Sequence, residues 1–153
     1  MTYLDTSVVV AWLLAEDQAP PAEFWKQPLV SSRLLEYETW TRIHSRRLGA
    51  SHGGQVRELL NRVAMVELAP PVLARALEPF PLAVRTLDAL HLSTILFLRD
   101  QRQAIELASY DERLLAAARR LKVPVWRVGD PPTWVGPPAA TARRRSARGR
   151  SGR

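Results

Sequence analysis

Four acidic residues spread along this chain stand where carboxylates could do chemistry as well as face water. Asp5 follows the apolar pair Tyr3-Leu4, and Asp111 follows Leu107-Ala108-Ser109-Tyr110, each at the point where an extended segment gives way to a helical one. Helix N-termini favour negative charge nearby, so either acid taken singly is explained as a cap. Asp88 lies in the first turn of the strongly apolar VRTLDALHLSTIL, among Leu87, Ala89, Leu90 and Leu92. A carboxylate buried there needs partners. Glu38 sits inside SRLLEYETWTRIH, where a lone glutamate reads as a solvated face residue. Gathered together, the four would offer only hard oxygen ligands. With no cysteine and three histidines in the chain, such a set suits a hard divalent cation and not zinc.

The elements that must position these acids follow from the pattern of apolar runs and breaks. The sequence predicts strands over 2–4, 29–32, 65–68, 105–109 and 123–128. Between them it predicts helices over 8–15, 34–47, 51–63, 72–77, 85–98 and 111–121, with a short helical turn from Pro20-Pro21 to Trp25. Thr6 and Ser7 are expected to cap the first helix, their hydroxyls accepting from free backbone N–H groups. The 85–98 helix carries apolar residues on more than one face and should be largely buried. Short strands alternating with helices imply an α/β fold, a parallel sheet covered on both faces. Sites in such sheets form beyond the carboxyl ends of the strands, which is where Asp5 and Asp111 fall.

Composition sets the outer bounds. A chain of 153 residues, 46% hydrophobic, makes one domain able to bury roughly two-thirds of its unfolded surface. The absence of cysteine excludes a disulfide framework and a thiol nucleophile and suits a reducing cytoplasmic setting. No run of about 18 apolar residues predicts a membrane span, and MTYLDTSVVVAWLLAE has no basic lead-in of the signal-peptide kind. The net charge of +7 is local: six arginines and no acid lie beyond Gly136, leaving sixteen basic against fifteen acidic residues before it. We therefore divide the chain into a folded domain over 1–132 and a basic tail over 133–153. The tail's composition predicts disorder and a salt-dependent attraction to phosphates.

Four pieces taken in order, YLDTSVVV, SSRLLEYE, LDALHLSTIL and ASYDERLLAAARRLKVPV, resemble the PIN-domain family, in particular its VapC toxins from VapBC toxin–antitoxin pairs. The resemblance runs from about residue 1 to 130 and leaves the tail outside. It implies a three-layer α/β/α fold with a short central parallel sheet. It also implies an acidic cluster, Asp5, Glu38, Asp88 and Asp111, that binds Mg²⁺, with Mn²⁺ as a substitute, and cleaves RNA to a 3′-hydroxyl and a 5′-phosphate. Asp5, Asp88 and Asp111 match metal ligands, and Thr6, Ser7 and Ser109 match small hydroxyl residues that support such sites. The partners implied are an RNA substrate, an antitoxin that inserts a basic residue into the acidic pocket, and a second copy in a homodimer. No membrane is implied.

The second acid is the one open choice, because Glu36 lies two residues from Glu38. Helical phase separates them by about 200°, so only one can face the site. The family spacing from Ser31-Ser32 favours Glu38, which shares its face with Thr41 and Ser45. Whichever joins, the cluster needs a cation: two carboxylates about 4 Å apart repel by about 4 kcal/mol at an effective dielectric near 20. Around the acids, Arg85 could contact phosphate or pair with a carboxylate. His91, three residues after Asp88, could stand behind the site or simply pack among leucines. His44 and His52 form no zinc spacing, and the five tryptophans at 12, 25, 40, 126 and 134 are dispersed and read as core or interface residues. Two other functions fit less well. A non-catalytic RNA-binding module would rely on the arginine tail. A phosphoryl hydrolase of the haloacid-dehalogenase type expects an aspartate where this chain has Ser7.

Overall fold

Because successive side chains of a strand point to opposite faces of its sheet, each extended run here supplies two cores at once. The computed structural model describes residues 1–127. Its strands are β1 (Thr2–Leu4), β2 (Leu29–Ser32), β3 (Val63–Val66) and β4 (Glu106–Ala108), all parallel, in the order β3-β2-β1-β4. The helices are α1 (Thr6–Leu13), α2 (Leu34–Ser45), α3 (Gly49–Leu60), α4 (Pro70–Ala76), α5 (Thr86–Asp100) and α6 (Glu112–Arg120), with a 3₁₀ turn over Ala22–Lys26. Leu4, Leu29, Val63 and Ala108 meet Val8, Val9, Leu35, Ile43, Val56 and Leu59 on the face covered by α1, α2 and α3. Tyr3, Val30 and Leu107 meet Leu92, Ile95, Leu114 and Ala118 on the face covered by α5 and α6. The expected three-layer α/β/α arrangement is the one observed, and none of the described helices is long and apolar enough to cross a membrane.

Several boundaries differ from expectation for local reasons. Asp5, not Thr6 or Ser7, caps α1: its backbone is extended and its side chain accepts from the Ser7 N–H, while Thr6 is already helical. Arg47 adopts a left-handed backbone (φ 59°), which stops α2 two residues early and lets α3 begin at Gly49. β3 occupies 63–66 because it pairs residue for residue with β2, Leu29 opposite Val63 through Ser32 opposite Val66. Within the described residues, the strand expected over 123–128 shows one bridge, Val125 to Leu107. Pro124 has no N–H to extend a ladder, although its carbonyl accepts from Leu107. Val128, Trp134 and the tail lie outside the described residues.

Candidate active site

Strand order decides where a cleft can open. From β1 the chain builds outward through β2 to β3, then returns to place β4 on the other side of β1. The connections leaving β1 and β4 therefore diverge at their carboxyl ends, the position where open α/β sheets bind ligands. Asp5 leaves β1 there, and Ser109 to Asp111 leave β4. A cleft of about 220 Å³ opens at this point, lined by Asp5, Thr6, Ser7, Glu38, Arg85, Asp88 and Asp111, with Val10, Glu16, Gln18, Arg42 and Arg46 along its length. All four sequence-selected acids thus reach one cavity. A larger hollow of about 530 Å³ between Trp12, Trp25, Leu59 and Arg62 has no such group of acids.

Each acid is held by donors from a different part of the chain. Asp5, 8% exposed, accepts through Oδ2 from the Ser7 N–H at 3.1 Å, the Ser109 hydroxyl at 2.9 Å and the Ser7 hydroxyl. Ser7 Oγ in turn accepts from the Tyr110 N–H at 2.9 Å, and Ser109 Oγ accepts from the Asp111 N–H at 2.9 Å. These two serines tie the ends of β1 and β4 together; Ser7 lines the cleft, whereas Ser109 lies behind Asp5. Asp111 caps α6, its Oδ1 accepting from Arg113 at 2.9 Å and Leu114 at 3.4 Å. Partial burial pushes its carboxyl upward, but those N–H groups and Arg85 outweigh burial and hold the pKa below its ordinary value.

Arg85 precedes α5 and faces both remaining aspartates. Its Nε donates to Asp88 Oδ2 at 2.9 Å and its Nη2 to Asp88 Oδ1 at 3.2 Å, while Nη2 also donates to Asp111 Oδ2. Of the two roles open to it in sequence, carboxylate pairing is the one seen. Asp88 itself is 7% exposed, so its carboxylate has the partner that burial requires.

The choice between Glu36 and Glu38 is one of helix face. Glu38 Oε2 accepts from the Thr6 hydroxyl at 2.6 Å and lies 2.8 Å from His91 Nε2. Glu36 turns outward to Arg33, at 3.4 Å. His91 is 1% exposed and does not line the cleft; it stands behind Glu38, with Tyr3 Oη 2.9 Å from its Nδ1. The Tyr3 oxygen also accepts from the Ser32 N–H at 3.1 Å. Burial works against charge on this imidazole, but the Tyr3 hydroxyl, the Glu38 hydrogen bond and the Asp5 and Glu38 carboxylates raise its pKa to about 10. For Glu38, burial pushes the pKa up, and His91, Thr6 and Arg42 together bring it below the usual value.

Tyr3, Arg42 and Arg46 were not foreseen as part of the site. Arg42 and Arg46 follow Glu38 at four-residue steps and become legible once Glu38 is chosen. Tyr3 carries no such mark, since a tyrosine in a buried strand reads as core.

The donor chemistry fits a hard divalent cation: oxygen atoms only, from carboxylates and hydroxyls, around a cavity that already attracts a guanidinium. Among the described residues no three Asp, Glu or His side chains are close enough together, as they stand, to hold one ion. Two of the acids are drawn to Arg85 and a third to His91.

Comparison with known proteins agrees with this architecture. The family model described as PIN domain matches residues 2–120. Ribonuclease VapC47 of Mycobacterium tuberculosis (strain CDC 1551 / Oshkosh) is 30% identical over 128 residues, covering 79% of this chain and 92% of that protein. Among solved structures, a toxin–antitoxin complex from Klebsiella pneumoniae shares the fold, with a TM-score of 0.54 at 14% identity over 83% of this chain and 97% of that one.

Proposed function

The chain belongs to the PIN-domain family, and from that premise we propose that it is a divalent-metal-dependent endoribonuclease of the VapC kind. The reading rests on one observation: Asp5, Glu38, Asp88 and Asp111, spread from position 5 to position 111 of the chain, line a single cleft at the switch point of the sheet. The name of the relative, a ribonuclease, supports RNA as the substrate.

Asp5, Asp88 and Asp111 would hold Mg²⁺, for which Mn²⁺ could substitute. When bound, such an ion supplies a water of lowered pKa and offsets charge on the phosphodiester. Ser7 and Ser109 fix the Asp5 carboxylate in place, and Thr6 and His91 do the same for Glu38. Since Glu38 Oε2 is occupied by those two donors, its Oε1 is the atom assigned to take a proton from the attacking water. The products assigned are a 3′-hydroxyl and a 5′-phosphate. The purified chain is expected to cut a mixed pool of single-stranded RNAs with Mg²⁺ and to stop on adding EDTA. Cutting that continues in EDTA would contradict the metal-dependent reading.

Arg85 gives a prediction about the cation itself. Arg85→Ala removes the positive charge shared by Asp88 and Asp111, so the metal-free chain is expected to melt a few degrees lower than the parent. Mg²⁺ or Mn²⁺ should then raise its melting temperature by more than the parent's, because the ion no longer competes with a guanidinium. An unchanged or smaller metal response would mean that Arg85 does not compete for those carboxylates.

The acidic cleft also suits a basic side chain from an antitoxin, a partner supported by the toxin–antitoxin complex that shares the fold. For a homodimer the face available is that of α4 and α5, where Leu73, Leu77 and Leu87 are exposed, Leu77 by 89%. Leu73 and Leu77 line one hollow with Phe80, Val84 and Leu90, and an exposed apolar patch of this kind favours association. A chain that sediments as a monomer at every concentration would remove the dimer. The site fits an enzyme working in the cytoplasm, where RNA is at hand.

A further inference from the structure

The cleft is electrically lopsided along its length. Asp5, Asp88 and Asp111 gather at one end, and the single arginine there, Arg85, is already engaged by two of them. Two stretches of chain wall the rest of the cleft: the segment after α1 brings Glu16 and Gln18, and α2 brings Arg42 and the capping residue Arg46 at four-residue steps after Glu38. Such positions stack along one edge of a helix, about 6 Å apart per step. Both arginines are exposed, and among the described residues neither guanidinium has a hydrogen bond or ion pair to a neighbouring side chain. The contrast with other arginines is direct. Arg33 is spent on Glu67 and Glu36, Arg57 lies over the Trp40 ring, and Arg75 pairs with Glu78.

A polyanion whose reacting phosphate lies at the acidic end must send its neighbouring phosphates along one wall or the other. The Glu16 wall repels them. The α2 wall offers two guanidinium groups without a hydrogen bond or ion pair, Arg42 acting on Glu38 only through its charge; such groups bind phosphate well because their planar forks can donate to two oxygens at once. We propose that Arg42 and Arg46 hold the phosphates flanking the scissile one, so that the RNA strand runs from the acids along α2 and not past Glu16. This rests on the ribonuclease reading and adds to it the direction of the strand and two residues that position it.

The test is a salt series. Fluorescence anisotropy would follow a labelled single-stranded RNA binding to the full chain carrying Asp5→Asn, which prevents cutting during the measurement. Each phosphate contact on a single strand contributes about 0.7 to the slope of log affinity against log salt. The further double change Arg42→Gln/Arg46→Gln is expected to lower that slope by about 1.4, whereas Arg42→Lys/Arg46→Lys should largely keep it. The control Arg62→Gln/Arg120→Gln removes the same charge from residues outside the cleft and should leave the slope alone. The arginine-rich tail is present in every variant, so its contribution cancels. In the cleaving enzyme, Arg42→Gln/Arg46→Gln should raise KM for RNA by a larger factor than it changes kcat, the Arg42 charge also acting on Glu38. A slope equal to the parent's, or an equal fall in the control pair, overturns the proposal while leaving the nuclease reading intact. A native chain that neither binds nor cuts RNA overturns both.

Discussion

Asp5→Asn is expected to slow RNA cleavage by about a thousandfold while leaving the protein folded. The size follows from the role proposed for it: a ligand carboxylate on a catalytic ion would be worth several kcal/mol of transition-state charge stabilisation, and about 4 kcal/mol is a factor of a thousand. The retained fold follows from the local structure. Asp5 caps α1, and asparagine is as good a cap as aspartate. The new amide oxygen can still accept from the Ser7 N–H and the Ser109 hydroxyl, which now donate to Oδ2. Single-turnover cleavage in Mg²⁺, beside a thermal melt of the same sample, separates chemistry from folding. A variant that melts like the parent and cuts within tenfold of it would remove Asp5 from the metal site. One that fails to fold would show that its charge serves structure first.

The second large effect is expected at His91→Leu. This imidazole is fully enclosed and joins two groups, Glu38 on one side and the Tyr3 hydroxyl on the other, which would keep only the Thr6 hydroxyl and the Ser32 N–H as partners without it. Leucine fills the volume but offers neither group a hydrogen bond. Losing a hydrogen bond to a charged group costs about 1.5–3 kcal/mol, enough to lower the melting temperature by about 5 °C in a domain of this size. Glu38 would also lose the donor that fixes its orientation, and removing such an outer support lowers activity by about 10–100-fold. Tyr3→Phe separates the two consequences. It deprives His91 and the Ser32 N–H of the same oxygen yet leaves the Glu38 contact standing, so stability should fall with much less loss of cleavage. If His91→Leu cuts RNA at the parent's rate well below its melting temperature, Glu38 does not depend on this support.

Sequence alone was enough for the alternation of strands and helices and the parallel sheet, since hydrophobic period is a local property; strand-end position marked only Asp5 and Asp111, and the four acids were joined as a set by the family resemblance. It also narrowed the second acid to two residues, because helical phase forbids Glu36 and Glu38 from sharing a face. Boundaries were less legible. Arg47 ends α2 through a backbone conformation that no side-chain pattern announces, and β3 takes its register from β2, a partner 34 residues away, Leu29 opposite Val63.

What only the tertiary structure decided is which side chains meet. The return of the chain to set β4 beside β1 brings Ser109 onto Asp5 and Asp111 onto Arg85. The packing of α5 across the sheet from α2 sends His91 past the end of β2 to reach Glu38. Hydrophobic periodicity says which face of an element is buried. It does not say what lies opposite, because that depends on strand order, and strand order is settled by the packing of the whole chain.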